Sequence, residues 1–219
     1  MNLHPIASNV RSMQSWWERV VRRIRVPLGF ATAALYLFEC SRSQLHPAAV
    51  AWSLALVLPG LAVRAAAAGT VKKNRELTVT GPYAYSRNPL YLGSALIAAG
   101  FALALFSWPV ALFIAIGFSI IYIPVILAEE RFLRGAFADF DDYCRKVPRF
   151  VPRLTSAKML ETKGLHAGST PVTSDARGGF SLVLYGKHRE YNAALGAALL
   201  YLCLLFLRPT LDFVLHGRR

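Results

Sequence analysis

Residues 77–93 read LTVTGPYAYSRNPLYLG. The stretch lies between two apolar blocks and has the character of neither. Gly81-Pro82 is turn chemistry. Asn88-Pro89 starts extended, because a proline disfavours the helical region for the residue before it. Pro89 suits the first position of a helix, where its missing N–H costs nothing. Asn88 then falls at the N-cap, where a side-chain oxygen can accept from the first turn. N–H groups at such a helix start, with Arg87 beside them, attract a carboxylate or phosphate. Tyr83, Tyr85 and Tyr91 can pack on an aromatic base or a cation. Taken alone, the stretch reads equally well as a capped helix whose Tyr and Arg side chains anchor the headgroup zone.

Downstream, residues 90–127 are almost wholly apolar and roughly twice as long as the ~20 residues one membrane span needs. Ser107-Trp108-Pro109 near the middle is a turn signal with an interfacial Trp, so the block reads as a hairpin of two spans. Pro124 inside the second arm predicts a kink and an Ile120 carbonyl without its usual donor. The hairpin returns the chain to the face it left. There it delivers a second polar knot, Ala128-Glu129-Glu130-Arg131. This places Glu129 and Glu130 at the end of a span, where carboxylates oppose the helix macrodipole and lie close to hydrocarbon. An ammonium, a sulfonium or ribose hydroxyls would compensate them. So would pairing with Arg131, Arg134 or Arg87.

Composition agrees with a membrane protein. Of 219 residues, 55% are hydrophobic and 17% charged, against about 25% charged in soluble domains. The net charge of +13 comes from bases flanking apolar runs. It therefore reads as positive-inside topology and attraction to anionic lipid, not as nucleic-acid binding. Cys40, Cys144 and Cys203 are too scattered for a disulfide framework or a zinc site and read as small apolar fillers. The histidines are scattered too, and no metal site is expected.

The predicted architecture is all-α: a polytopic membrane bundle of about five transmembrane helices with the hairpin at 90–127. Residues 1–25 read as an interfacial amphipathic N-terminus, with Trp17, Val20, Val21 and Ile24 on one helical face. Two transmembrane helices follow within 26–70, and Arg64 near the end of the second can snorkel to the interface. Residues 71–155 hold both knots. Residues 156–190 read as a flexible or surface linker, rich in Gly, Ser, Thr and Pro at 164–179, with 180–185 on the membrane surface. Residues 191–219 supply a last transmembrane helix and tail. Bases near the span ends put the N-terminus and both knots on the cytoplasmic face, while Arg208, Arg218 and Arg219 run against that rule.

The order GPYAYSRNPLYLG, apolar hairpin, EERFL and FADFDDYCRKVPRFVP resembles the isoprenylcysteine carboxyl methyltransferase and phospholipid methyltransferase superfamily. The likeness covers about 75–155, and several motifs in order make it specific. It implies a membrane-embedded, S-adenosylmethionine-dependent methyltransferase acting on a lipid or a prenylated or otherwise lipophilic acceptor, by O- or N-methylation. Carried over residue by residue, Leu77, Thr78, Tyr83, Asn88, Pro89, Leu90, Tyr91 and Glu130 match cofactor-contacting positions. Arg87 matches the motif arginine, and Arg87, Glu129 and Glu130 are the implied catalytic residues. Asn88 stands where many members have His. Val125 and Ile126 stand where prenylcysteine-methylating members carry an arginine, which argues against a prenylcysteine carboxylate. A membrane NADPH-dependent sterol or enoyl reductase, which shares an R-H-P-x-Y-x-G pattern, and a non-catalytic scaffold are the competing readings.

Overall fold

The computed structural model describes residues 27–28, 30–42, 46–71, 77–153, 180–187 and 190–216, with side chains to 186 and 207 in the last two segments. The interfacial N-terminus expected at 1–25 and most of the expected linker lie outside these residues. The described elements are helical: α1 (30–42), α2 (Pro47–Thr70), a 3-10 turn η1 (Gly81–Ala84), α3 (Pro89–Leu105), α4 (Trp108–Ala136), α5 (Phe140–Lys146), α6 (Leu182–Lys187) and α7 (Tyr191–His216).

The hairpin forms as its sequence directs. Pro89 opens α3, and α3 stops where Phe106 takes the left-handed conformation, φ 50°. Ser107 then leads into α4 with Pro109 in its first turn. The arms are unequal. α3 has 17 residues, about 26 Å at 1.5 Å per residue, whereas α4 has 29. Of the five spans expected, two helices among the described residues, α2 and α4, are long and apolar enough to cross a membrane. α3 and the apolar part of α7, Tyr191–Leu207, are shorter. The turn signal sets this inequality by ending α3 early.

α4 also runs on past its apolar part. Glu129 and Glu130 lie inside it, before its end at Ala136, and not at a helix terminus as the sequence suggested. The macrodipole argument against them therefore loses force, since the effect is confined to the last turn. Helix α4 continues through Pro124 as a single element. Leu112, Ile116, Ile120 and Ile123 are exposed along it, a one-sided apolar stripe that a bilayer would cover.

The main core lies toward the hairpin turn. Tyr36 and Cys40 of α1, Val57 of α2, Phe101 and Leu105 of α3, Val110 of α4 and Leu204 of α7 are buried there together. The Cys40 thiol donates to the Cys203 carbonyl at 3.6 Å, so these two cysteines pack as small fillers. Ser53 of α2 and the Tyr201 hydroxyl of α7 are 2.5 Å apart. A smaller cluster of Phe140, Tyr143 and Val147 sits at the other end, packed by Leu77, Leu133, Phe137 and Cys144. α2 and α3 pack closely because glycines face the contact. A Cβ on Gly60 would meet the Gly93 carbonyl at 2.8 Å, and one on Gly100 would meet Val57 Cγ2 at 2.5 Å. Small residues that let backbones approach are how apolar helices associate without a hydrophobic drive.

Residues 180–185 keep Phe180, Leu182 and Val183 exposed and are also tied to α2. Phe180 seats its ring where a Cβ of Gly69 would stand, the Ser181 N–H donates to the Gly69 carbonyl at 2.9 Å, and α6 follows. Arg64 is engaged within the protein. Its Nε and Nη2 donate to Glu190 Oε2 at 3.0 and 2.8 Å, and its Nη1 donates to Ser94 Oγ.

Gly81 opens η1 at φ 59°, and a Cβ there would press on Thr70 Oγ1 and Cγ2 at 3.2 Å. Gly81→Ala should therefore cost about 1–2 kcal/mol, the usual penalty for an L-residue in the left-handed region. Gly81→Asn should cost less, because Asn tolerates that region. Thermal unfolding of the detergent-solubilised protein would rank the three midpoints.

Candidate functional site

The two polar knots meet. Two loops are laced together at the end of the molecule opposite the hairpin turn. The Arg87 N–H donates to the Pro148 carbonyl at 2.9 Å, and the Arg153 N–H donates to the Tyr85 carbonyl at 3.0 Å. The Ser86 hydroxyl donates to the Phe150 carbonyl at 3.1 Å. The Asn88 amide donates to the Arg149 carbonyl at 3.0 Å. The Asn88 side chain is thus committed to the 147–153 loop. It occupies the N-cap position, but no side chain caps α3, which corrects the expected capping role. The reason is competition: a buried Asn with a carbonyl in reach satisfies its amide there.

Glu130 organises the rest. It is 5% exposed and accepts from two arginines. Arg87 Nη1 donates to Oε1 at 3.1 Å. Arg149 donates through Nε to Oε1 at 3.0 Å and through Nη2 to Oε2 at 2.9 Å, a forked pair. Carboxylate and two guanidinium groups tie α4, the α3 approach and the 147–153 loop into one unit. The Glu130 carboxylate raises the Arg149 pKa, through the hydrogen bond first and charge second. Arg87 Nη1 also lies 3.0 Å from Cys144 Sγ, so Cys144 is a polar contact here as well as a filler. The Arg87 Nε–H is buried without an acceptor among the described residues. A buried donor of this kind calls for an ordered water or a ligand oxygen.

Glu129 points elsewhere. It is exposed, and its Oε2 accepts from the Tyr91 hydroxyl at 2.9 Å. The Tyr91 ring stands edge-on to Tyr122 with centroids 5.3 Å apart. Tyr83 in η1 is half-buried, and the Tyr143 hydroxyl donates to its carbonyl at 2.7 Å. Burial raises the Tyr83 pKa, and the Glu129 carboxylate adds to the rise, with Tyr143 and Glu190 behind it. Tyr83 therefore stays a neutral phenol at physiological pH.

The other residues singled out from sequence divide. Leu77 packs against Phe140, Tyr143 and Val147, so its side chain is a support. Thr78 is half-buried beside it, Pro89 is buried, and Leu90 is half-buried at the start of α3. Sequence reasoning counted Arg149 only among the positive-inside bases. Its signal was its place as the one charged residue in the run VPRFVP. Arg64, Ser94 and Glu190 were not joined by any motif.

The fold and this site define a helical membrane protein whose polar end carries one doubly clamped carboxylate beside one exposed carboxylate. Residues 50–139 match the family model for phospholipid methyltransferase. The matched segment holds GPYAYSRNPLYLG and EERFL, two of the motifs that resemble the isoprenylcysteine and phospholipid methyltransferase superfamily, and the match points to methyltransferase chemistry. Two curated relatives are each 37% identical over 98 residues, 45% of this chain. One is the nickel-cobalt-cadmium resistance protein NccN of Alcaligenes xylosoxydans xylosoxydans, of which 46% is covered. The other is the cobalt-zinc-cadmium resistance protein CzcN of Cupriavidus metallidurans, of which 45% is covered. The matched region thus spans less than half the length of either relative. No solved structure matches. Among the described residues, no group of three or more His, Cys, Asp or Glu side chains gathers as a metal site would.

Proposed function

We propose that this chain is an integral, multi-pass membrane methyltransferase that uses S-adenosylmethionine to methylate a lipid or another lipophilic acceptor at oxygen or nitrogen. The site faces the cytoplasm, where that cofactor is available. The observation that carries this reading is the clamp on Glu130. It ties the two motif segments together at one end of the molecule, with Tyr91 hydrogen-bonded to exposed Glu129 beside it.

The groups present suit that cofactor. The uncapped start of α3 can receive its carboxylate. Exposed Glu129 can receive its ammonium or ribose hydroxyls, and the faces of Tyr83 and Tyr91 can meet its adenine or sulfonium. Bound there, S-adenosylmethionine supplies an electrophilic methyl group. The protein's share is alignment and exclusion of water, which provide most of the help in an in-line displacement. An anionic acceptor needs no base. An amine acceptor must lose a proton, and Glu129 is placed to take it, because both oxygens of Glu130 are held by guanidinium groups.

The reading is tested by incubating the protein, in bilayer nanodiscs, with methyl-labelled S-adenosylmethionine and a total lipid extract. Label should appear in one lipid-soluble species, base-labile for an ester and base-stable for an amine. Arg87→Ala should lower the rate at least tenfold with unchanged membrane insertion, because Glu130 then loses its most buried partner. Normal activity in that variant would reduce Arg87 to a structural partner of Glu130, and no transfer to any lipid would refute the acceptor class.

A further inference from the structure

A second feature lies beside the site on residues outside the motif block. α2, α6 and the start of α7 enclose a cavity of about 230 Å³. Leu61, Ala65 and Ala194 give it an apolar wall, Tyr185 stands at one side, and Arg64 and Glu190 face into it. The charged pair is built in. Arg64 and Glu190 are 2.8 Å apart, with side chains 23% and 12% exposed. Arg64 has all three of its terminal nitrogens near acceptors, Nε and Nη2 on Glu190 and Nη1 on Ser94. Glu190 uses only Oε2 for this, which leaves Oε1 without a hydrogen bond among the described residues.

The cavity adjoins the candidate site. Ser94 follows Tyr91 by three positions on α3, so the two share a helical face. Tyr91 holds Glu129, and Ser94 holds Arg64. Tyr83 feels the charge of both Glu129 and Glu190. Arg64 and Glu190 cancel as a pair, and Glu190 Oε1 remains an acceptor without a hydrogen bond among the described residues.

We propose that this cavity is the acceptor-head pocket and that Glu190 sets its selectivity. It takes an amphiphile whose head donates a hydrogen bond, an amine or a hydroxyl, to Glu190 Oε1, and it rejects a carboxylate head. A carboxylate has no hydrogen to give Oε1 and would set a second negative charge against Glu190, whose own charge Arg64 already matches. This proposal rests on the methyltransferase reading for its role, and on the cavity alone for its binding preference.

The test uses the full-length protein in nanodiscs. Three amphiphiles of equal chain length are compared, a primary alkylamine, the alcohol and the fatty acid, by direct binding and by KM for methyl transfer. Binding of S-adenosylhomocysteine is measured in parallel. The amine and the alcohol should bind at least tenfold more tightly than the fatty acid, and the amine-to-alcohol ratio tells whether charge or hydrogen bonding dominates. Glu190→Gln should weaken the amine at least tenfold and leave S-adenosylhomocysteine affinity within twofold. Ala194→Phe fills the cavity without touching the ion pair, and should weaken amine and alcohol alike. Equal binding of the fatty acid, or unchanged amine affinity in both variants, would overturn the proposal. Loss of S-adenosylhomocysteine binding with the amine preference intact would refute the methyltransferase reading and leave the pocket standing.

Discussion

Glu130→Ala is expected to abolish S-adenosylhomocysteine binding and to lower stability by about 3 kcal/mol, the low end of the range for removing one partner of a buried ion pair. The low end applies because the two arginines differ. The Arg149 side chain is 53% exposed and can turn to water at little cost. The Arg87 side chain is 14% exposed and has a buried Nε–H that already lacks a partner among the described residues, so it would be left as an uncompensated charge. Two loops would also lose their common anchor, and the start of α3 would drift from Glu129. Glu130→Gln separates charge from shape. It retains an acceptor for one arginine and should lose less stability than alanine while still binding the cofactor product poorly. Thermal unfolding with and without S-adenosylhomocysteine reads both quantities. A Glu130→Ala protein that binds normally would show that the clamp is ornamental to the site.

The second large effect belongs to helix packing. Gly93→Ala is expected to destabilise by about 1–3 kcal/mol, the cost of forcing a group into a filled contact, although alanine is the better helix former by about 1 kcal/mol. A Cβ there would stand 2.6 Å from both the Gly60 carbonyl oxygen and Arg64 Cγ. The first is backbone and cannot move aside, so α2 and α3 must part. The second is the stem of the residue that holds Glu190 and Ser94, so the change reaches the acceptor cavity too. Gly135→Ala is the control. Nothing lies within 4 Å of its would-be Cβ, and the variant should be neutral or slightly stabilised. Equal unfolding midpoints for the Gly93 and Gly135 variants would contradict the tight α2–α3 contact.

Local chemistry made much of this legible. Gly81-Pro82, Pro89 and Ser107 to Pro109 are read by rules that act within a few residues, so the start of α3 and the hairpin turn fall where the sequence puts them. That both knots reach one face follows from the hairpin alone. The identity of the partners did not follow. Glu130 had three candidate arginines, Arg131, Arg134 and Arg87, and pairing over 19 positions to Arg149 depends on how α5 and the loop after it fold back. The Asn88 side chain faced the same competition, with a long-range carbonyl winning over a local cap. Helix α4 was cut short because Glu129 and Glu130 look like an end when hydropathy is the guide, while backbone hydrogen bonding carries the helix on to Ala136. Phe180 on Gly69 and Arg64 on Glu190 join segments far apart in the chain, and no spacing rule reaches across them.

The central claim is that the two knots form an S-adenosylmethionine site. Equilibrium binding of S-adenosylhomocysteine and NADPH to the purified full-length protein in nanodiscs tests it most directly. The account predicts saturable, one-to-one binding of S-adenosylhomocysteine and none of NADPH. Saturable NADPH binding with no response to S-adenosylhomocysteine would contradict it and turn the site toward reductase chemistry.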